Sequence, residues 1–164
     1  MKILQAVNFT GSDTANPYIR SLVDGLRKAG HCVAWSADDF WTAEGRFDIV
    51  HIHWPQALFG WGDIDKECTE RLLKKIDEIH DEGGVVFYTR HNSAPHNCSN
   101  PYSIALNKIV EGSSDVIVHL GENSHQECEN KYLNTKHCVI PHHAYDWYPR
   151  DMGRQSNRCY GFCY

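Results

Sequence analysis

Several things are missing from this sequence, and each absence removes a class of function. No stretch of its 164 residues stays apolar long enough to cross a bilayer. The N-terminal MKILQAVNF runs straight into a short strand pattern and is too short for the apolar core of a secretory leader. No basic block runs along the chain: 16 Lys and Arg stand against 21 Asp and Glu, so nucleic acid is disfavoured as the main partner. The seven cysteines (32, 68, 98, 128, 138, 159 and 163) are odd in number, scattered and without a CxxC pair, which gives a structural zinc site no support. A cytoplasmic protein with reduced thiols is the expectation, with peripheral contact at the inner face of the membrane left open. There is no GxGxxG, hence no expectation of a dinucleotide site of that type. Internal repeats and low-complexity tracts are absent as well.

What is present is an alternation. Ile3 to Val7 reads as a strand, and Asn16-Pro17 then supplies a helix cap with proline at the first helical position. Ile19, Leu22, Val23 and Leu26 follow at helical spacing, and Gly30 closes that helix. Strands are expected at His31 to Ser36 and Asp48 to His53. Asp65 opens a helix carrying Leu72, Leu73, Ile76 and Ile79, closed by Gly83-Gly84. A strand from Val85 to Arg90 precedes a second cap-and-proline pair, Asn100-Pro101, and a helix with Ile104, Ala105 and Ile109. Asp115 to Leu120 is the fifth strand, Glu122 to Tyr132 a helix and His137 to Ile140 the sixth strand.

Strands alternating with helices imply right-handed crossovers and a parallel sheet covered on both faces. The fold class is therefore α/β: a single Rossmann-like, doubly wound domain, with strand order 3-2-1-4-5-6 expected. The length suits one domain with a full core. The domain is expected over residues 1–147; from 148 to 164 the periodicity stops, as in a linker or the start of a further domain.

In such sheets ligands bind beyond the carboxyl ends of the strands. Those exits carry Thr10-Gly11-Ser12, His53-Trp54, His91-Asn92 with His96, Glu122-Asn123-Ser124 and His142-His143. One histidine at a strand end usually packs or caps; several such exits are harder to explain that way. The loop FTGSDTANP is small enough for a ligand to approach its backbone, and its T-G-x-x-T is similar to a flavodoxin phosphate loop, although a flavin protein leaves the histidines unexplained. His91 and His96, together with His51/His53 or His142/His143, could ligate zinc as in a metal hydrolase, but the spacings are unspecific. Asp63-Ile64-Asp65 matches a DxD metal-nucleotide motif, yet stands before a helix, where acids suit the positive N-terminal end. In PQALFGWG, the residues Leu58, Phe59 and Trp61 either cover the sheet edge or hold an apolar or lipid-linked acceptor at the surface.

Taken in order, MKILQAVNFTGS, LVDGLRKAGHCV, DIVHIHWP, VVFYTRHNSAPH, SSDVIVHLGENS and CVIPHHAYDWYP resemble the N-terminal, acceptor-side half of a GT-B glycosyltransferase of the retaining family-four type, over residues 1 to 150. The resemblance implies a sugar transfer from a nucleotide-diphosphate donor to a glycan or lipid-linked acceptor, with no metal and no other cofactor. By position it implies that Gly11 and Ser12 sit beneath the transferred sugar or acceptor, where that family usually has two glycines. It puts His91 near the reacting sugar as the catalytic residue, and His53 and Trp54 along the acceptor cleft with Asn92 and His96. Glu122, Ser124, His142 and His143 complete the substrate-binding set. An unperturbed imidazole pKa of about 6.5 leaves His91 free to act neutral or charged. The same resemblance implies a second Rossmann domain that holds most of the donor, so that the chain is expected to be inactive alone. The rival expectation is a non-catalytic glycan- or nucleotide-binding module that works with a partner chain.

Overall fold

The computed structural model describes residues 1–8, 17–43, 45–95 and 97–142. Six parallel strands form one sheet: β1 (Lys2–Ala6), β2 (Cys32–Trp35), β3 (Ile49–Ile52), β4 (Val85–Arg90), β5 (Val116–His119) and β6 (Lys136–Val139). Between them lie α1 (Pro17–Lys28), α2 (Asp38–Thr42), α3 (Lys66–Asp81), α4 (Pro101–Ser113) and α5 (Glu122–Cys128), with a 3-10 turn at Pro55–Phe59. This is the Rossmann-like α/β architecture that the alternation implies.

The strand order is β2-β1-β3-β4-β5-β6, which corrects the expected 3-2-1-4-5-6. The segment after β2 forms only the five-residue helix α2 and no outer strand. It carries the chain back across β1, so β3 pairs with β1 on one side and β4 on the other. The composition of β3 explains the preference. Val50 and Ile52 are buried on one face and His51 on the other, and an edge position would leave part of that surface wet. The point where the winding reverses therefore lies between β1 and β3.

Alternation along the strands splits the core in two. Leu4, Val50, Ile52, Val86, Tyr88 and Ile117 face α2, α3 and α4, where Phe40, Leu72, Ile76, Leu106 and Val110 meet them. Ile3, Val33 and Ile49 face α1, where Ile19 and Val23 cover them. Two of the expected caps work as read: Asp65 accepts from the Cys68 N–H at 2.9 Å, and Asn100 from the Tyr102 N–H at 2.8 Å; Asn16 lies outside the described residues. Asp65 of the DxD triplet is thus a helix cap. The helix expected from Glu122 to Tyr132 ends at Cys128. Tyr132 is drawn out of line by its hydroxyl, which donates to Glu111 at 2.9 Å, and its carbonyl lies 3.2 Å from His137 Nε2.

On α3, Ile76 is fully buried whereas Leu73 is 41% exposed, although both belong to the same apolar pattern. Ile76→Ala is expected to cost about 2–5 kcal/mol and Leu73→Ala less than about 0.5 kcal/mol. Urea unfolding of the two variants checks this; equal losses would contradict the assigned inner face.

Candidate functional site

The exits of β1, β3 and β4 bring a polar and aromatic group together on the face covered by α1. Gln5 and His51 are register partners in the sheet, and His53 continues the same side two residues beyond His51. His53 is fully buried, with Nε2 2.7 Å from Gln5 Oε1 and Nδ1 3.3 Å from His91 Nε2. His51 Nε2 lies 2.8 Å from Thr89 Oγ1, which is 3.5 Å from the Tyr18 hydroxyl. Tyr18, from the first turn of α1, gathers three imidazoles, with ring centroids 6.0 Å from His53 and 5.1 Å from both His91 and His142. His91 stacks on Trp54 at 4.2 Å with 17° between the planes.

Next to Trp54 stands a second indole. The 3-10 turn ends in a double hydrogen bond, Gly60 N–H to the Ala57 carbonyl and Trp61 N–H to the Gln56 carbonyl, each 3.1 Å. This closure puts both Gly60 and Trp61 in the left-handed region, with φ of 66° and 62°. For tryptophan that conformation costs on the order of 1 kcal/mol. The side chain is nevertheless 55% exposed, its ring centroid 6.4 Å from that of Trp54. The loop therefore divides: Leu58 is buried in the main core, while Trp61 is exposed.

Burial decides the charge of the cluster. It lowers His51 to about 3, and His91 to about 3 with help from His142 and His51. His53 is held well below its ordinary value by burial, then by His51 and His91. Burial likewise raises the Tyr18 hydroxyl. At neutral pH His51, His53 and His91 are thus uncharged, set among the rings of Tyr18 and Trp54. The charged role left open for His91 by its free pKa does not apply to the resting site.

Of the residues expected from the sequence, His53, Trp54, His91 and His142 come together, with Asn92 adjoining His91 in the chain. Gly11, Ser12, His96 and His143 lie outside the described residues. Glu122 and Ser124 belong elsewhere. Glu122 is exposed at the start of α5, 3.9 Å from His125. Ser124 Oγ lies 3.1 Å from Arg90 Nη1 and 2.9 Å from His119 Nδ1, in a second network on the other face of the sheet.

That second network was not legible as a unit. Arg90, buried at the end of β4, donates to Glu111 and Glu127 at 2.9 Å each. His119 Nε2 is 2.9 Å from His137 Nδ1, and the rings stack at 14°. His137 Nε2 donates to the Tyr132 carbonyl, so its Nδ1 accepts from His119 and His119 Nδ1 accepts from Ser124. The network fixes α5 and β6 against β4. Gln5, Tyr18 and Thr89 were also missed at the first cluster, where the sequence offered His51 only as a zinc ligand. The available signal was a polar residue at an inward position of an apolar strand, as in ILQAV. Among the described residues, no group of three or more His, Cys, Asp or Glu side chains is arranged to hold a metal ion.

Burial lowers His119 to about 4, aided by His137. His51, His53, His91 and His119 are therefore neutral when folded and charged when unfolded at mildly acid pH. The unfolded chain binds more protons, so stability is full above about pH 6.5 and is lost as pH falls from there towards 3–4. One such histidine is worth about 2 kcal/mol between pH 6.5 and 5, on the order of 1 M in a urea midpoint. Urea unfolding at pH 7.5 and 5.0 is expected to show a lower midpoint at pH 5.0; an unchanged or higher one would contradict the burial of these imidazoles as neutral groups.

No helix among the described residues is long and apolar enough to cross a membrane. Comparison with protein-family models, with curated proteins and with solved structures finds no match to this chain, so its function is argued from the chemistry of the cleft.

Proposed function

We propose that the chain is the acceptor-binding half of a glycosyltransferase, which moves a sugar from a nucleotide-diphosphate donor to a glycan or lipid-linked acceptor together with a second Rossmann domain. The observation that carries this reading is the Trp54–His91 stack with exposed Trp61 beside it, at the exits of β3 and β4. A sugar ring has a C–H face that packs on an aromatic ring and a rim of hydroxyls that needs neutral donors and acceptors. The cleft supplies both. Two indoles give the face, and His91, His142 and Tyr18 give the polar rim. Neutral imidazoles suit hydroxyls better than phosphates, in keeping with a donor diphosphate held by the other domain.

In the transfer, the bond from the donor sugar to the diphosphate breaks with its electron pair leaving on the diphosphate oxygen, while the acceptor hydroxyl attacks the same face of the ring and passes its proton to that oxygen. On this reading His91 is the catalytic residue: it hydrogen-bonds a sugar hydroxyl beside the reacting carbon and holds the ring in place. Gly11, Ser12, His96 and His143, expected from the sequence and outside the described residues, are the further candidates for the substrate shell.

A second reading is favoured by one observation. The order 2-1-3-4-5 is shared with flavodoxin-like folds, which bind a flavin at the reversal between β1 and β3. The histidine cluster stands against it. Purified protein is expected to be colourless and to leave the spectrum of added flavin mononucleotide unchanged; a bound-flavin spectrum would replace the glycosyl reading.

Calorimetric titration tests the main proposal. The chain alone is expected to bind neutral oligosaccharides and to bind uridine- or guanosine-diphosphate sugars weakly or not at all. Trp54→Ala is expected to weaken glycan binding about tenfold, the scale of one lost aromatic contact. Joined to a matching second domain it should transfer sugar, and His91→Ala should then lower kcat more than it raises KM. Micromolar binding of nucleotide-sugars by the chain alone would show that the halves are assigned the wrong way round. Glycan binding without transfer in the joined protein would favour the non-catalytic module.

A further inference from the structure

Gln5 is fully buried in β1, and its carbonyl oxygen can only accept a hydrogen bond. At 2.7 Å from that oxygen, His53 Nε2 must carry the proton. His53 is also fully buried, and a neutral imidazole holds one proton, so Nδ1 is bare. The atom facing Nδ1 at 3.3 Å, His91 Nε2, is then the donor, and His91 Nδ1 is left with a lone pair. No hydrogen bond joins that Nδ1 to a described residue, and His91 as a whole is only partly buried. Turning the Gln5 amide over would reverse every bond. It would set both imidazoles as Nδ1–H, the less favoured neutral tautomer, and would only exchange an unpartnered amide nitrogen for an unpartnered carbonyl. As oriented, the atom left over is Gln5 Nε2, which has no partner among the described residues. The chain of bonds runs across β1, β3 and the exit of β4, and the Trp54 stack holds the last ring in plane.

We propose that Gln5 and His53 are positioning residues that fix His91 as the Nε2–H tautomer, so that the cleft presents a bare Nδ1 and selects a ligand hydroxyl over an oxyanion. This rests on reading the cleft as a ligand site, and it names the chemistry of the group bound there. A hydroxyl can donate to the lone pair; a phosphate oxygen meets it as a second acceptor and is repelled. Neither Gln5 nor His53 touches the ligand. They act by deciding which nitrogen of His91 carries hydrogen.

Histidine-selective nitrogen-15 correlation spectra of the whole chain at pH 7.5 read the tautomer directly. Expected in the native protein are protonated Nε2 and bare Nδ1 at both His53 and His91. Gln5→Glu, whose carboxylate also only accepts, should keep that pattern, whereas Gln5→Leu and His53→Phe should let His91 relax to a mixture of tautomers with the fold intact by circular dichroism. A native His91 protonated on Nδ1, or one unchanged in folded His53→Phe, would overturn the positioning role; the native spectrum decides even where a variant does not fold. Titration with methyl α-glucoside and separately with sulfate, an oxyanion with no hydrogen to donate at this pH, tests the selection. The His91 Nδ1 resonance should move with glucoside and not with sulfate. Movement with sulfate, alone or as well, would overturn the hydroxyl preference. The expected tautomer with no response to either probe would sustain the positioning role and count against the sugar-binding reading of the cleft.

Discussion

The cleft depends on His53 being buried with both ring nitrogens engaged. A buried polar atom left without a partner costs about 1–3 kcal/mol, so removing either neighbour is expensive. Gln5 on one side and His91 on the other are therefore held where His53 needs them, and with them the ends of β1, β3 and β4. The same burial strips the imidazoles of charge. What reaches the cleft is a neutral, oriented ring lying flat on Trp54, in place of a mobile cation.

The two histidine networks do different things because they sit on opposite faces of one sheet. Arg90 points into the α4 side and is held by Glu111, Glu127, Ser124 and the Ser93 carbonyl. With every one of these contacts inside the protein, the network locks α5 and β6 in place. One residue later, His91 emerges on the α1 side, joined to His53 through Nε2, with no hydrogen bond from a described residue to its other nitrogen. The alternation of a β-strand thus separates a structural anchor from a candidate functional group by a single peptide bond.

Much of this was legible because it follows local pattern. The strand and helix alternation, the caps at Asp65 and Asn100, and the gathering of His53, Trp54, His91 and His142 all come from periodicity and from the rule that ligands meet the carboxyl ends of parallel strands. The strand order was misread because nothing in the local pattern of Asp48 to His53 says whether that strand pairs with β2 at the edge or with β1 inside the sheet. The placement of Ser124 was misread for a related reason: its partners Arg90 and His119 arrive from two other strands, and the face each occupies depends on register. Gln5 was passed over because a lone polar residue in an apolar strand carries no sign of the imidazole 48 positions away that it serves. The exposure of Trp61 depends on a turn closure that places a tryptophan in a conformation usually left to glycine.

The central claim is that this cleft recognises a neutral, hydroxyl-rich ring through aromatic faces and uncharged imidazoles. Saturation-transfer NMR of the chain with a panel of neutral oligosaccharides tests it most directly, because it reads which ligand protons lie against the protein. Expected is transfer to ring C–H protons of at least one glycan, lost when Trp54 is replaced by alanine. Transfer that survives Trp54→Ala, or none from any glycan in the panel, would contradict the claim.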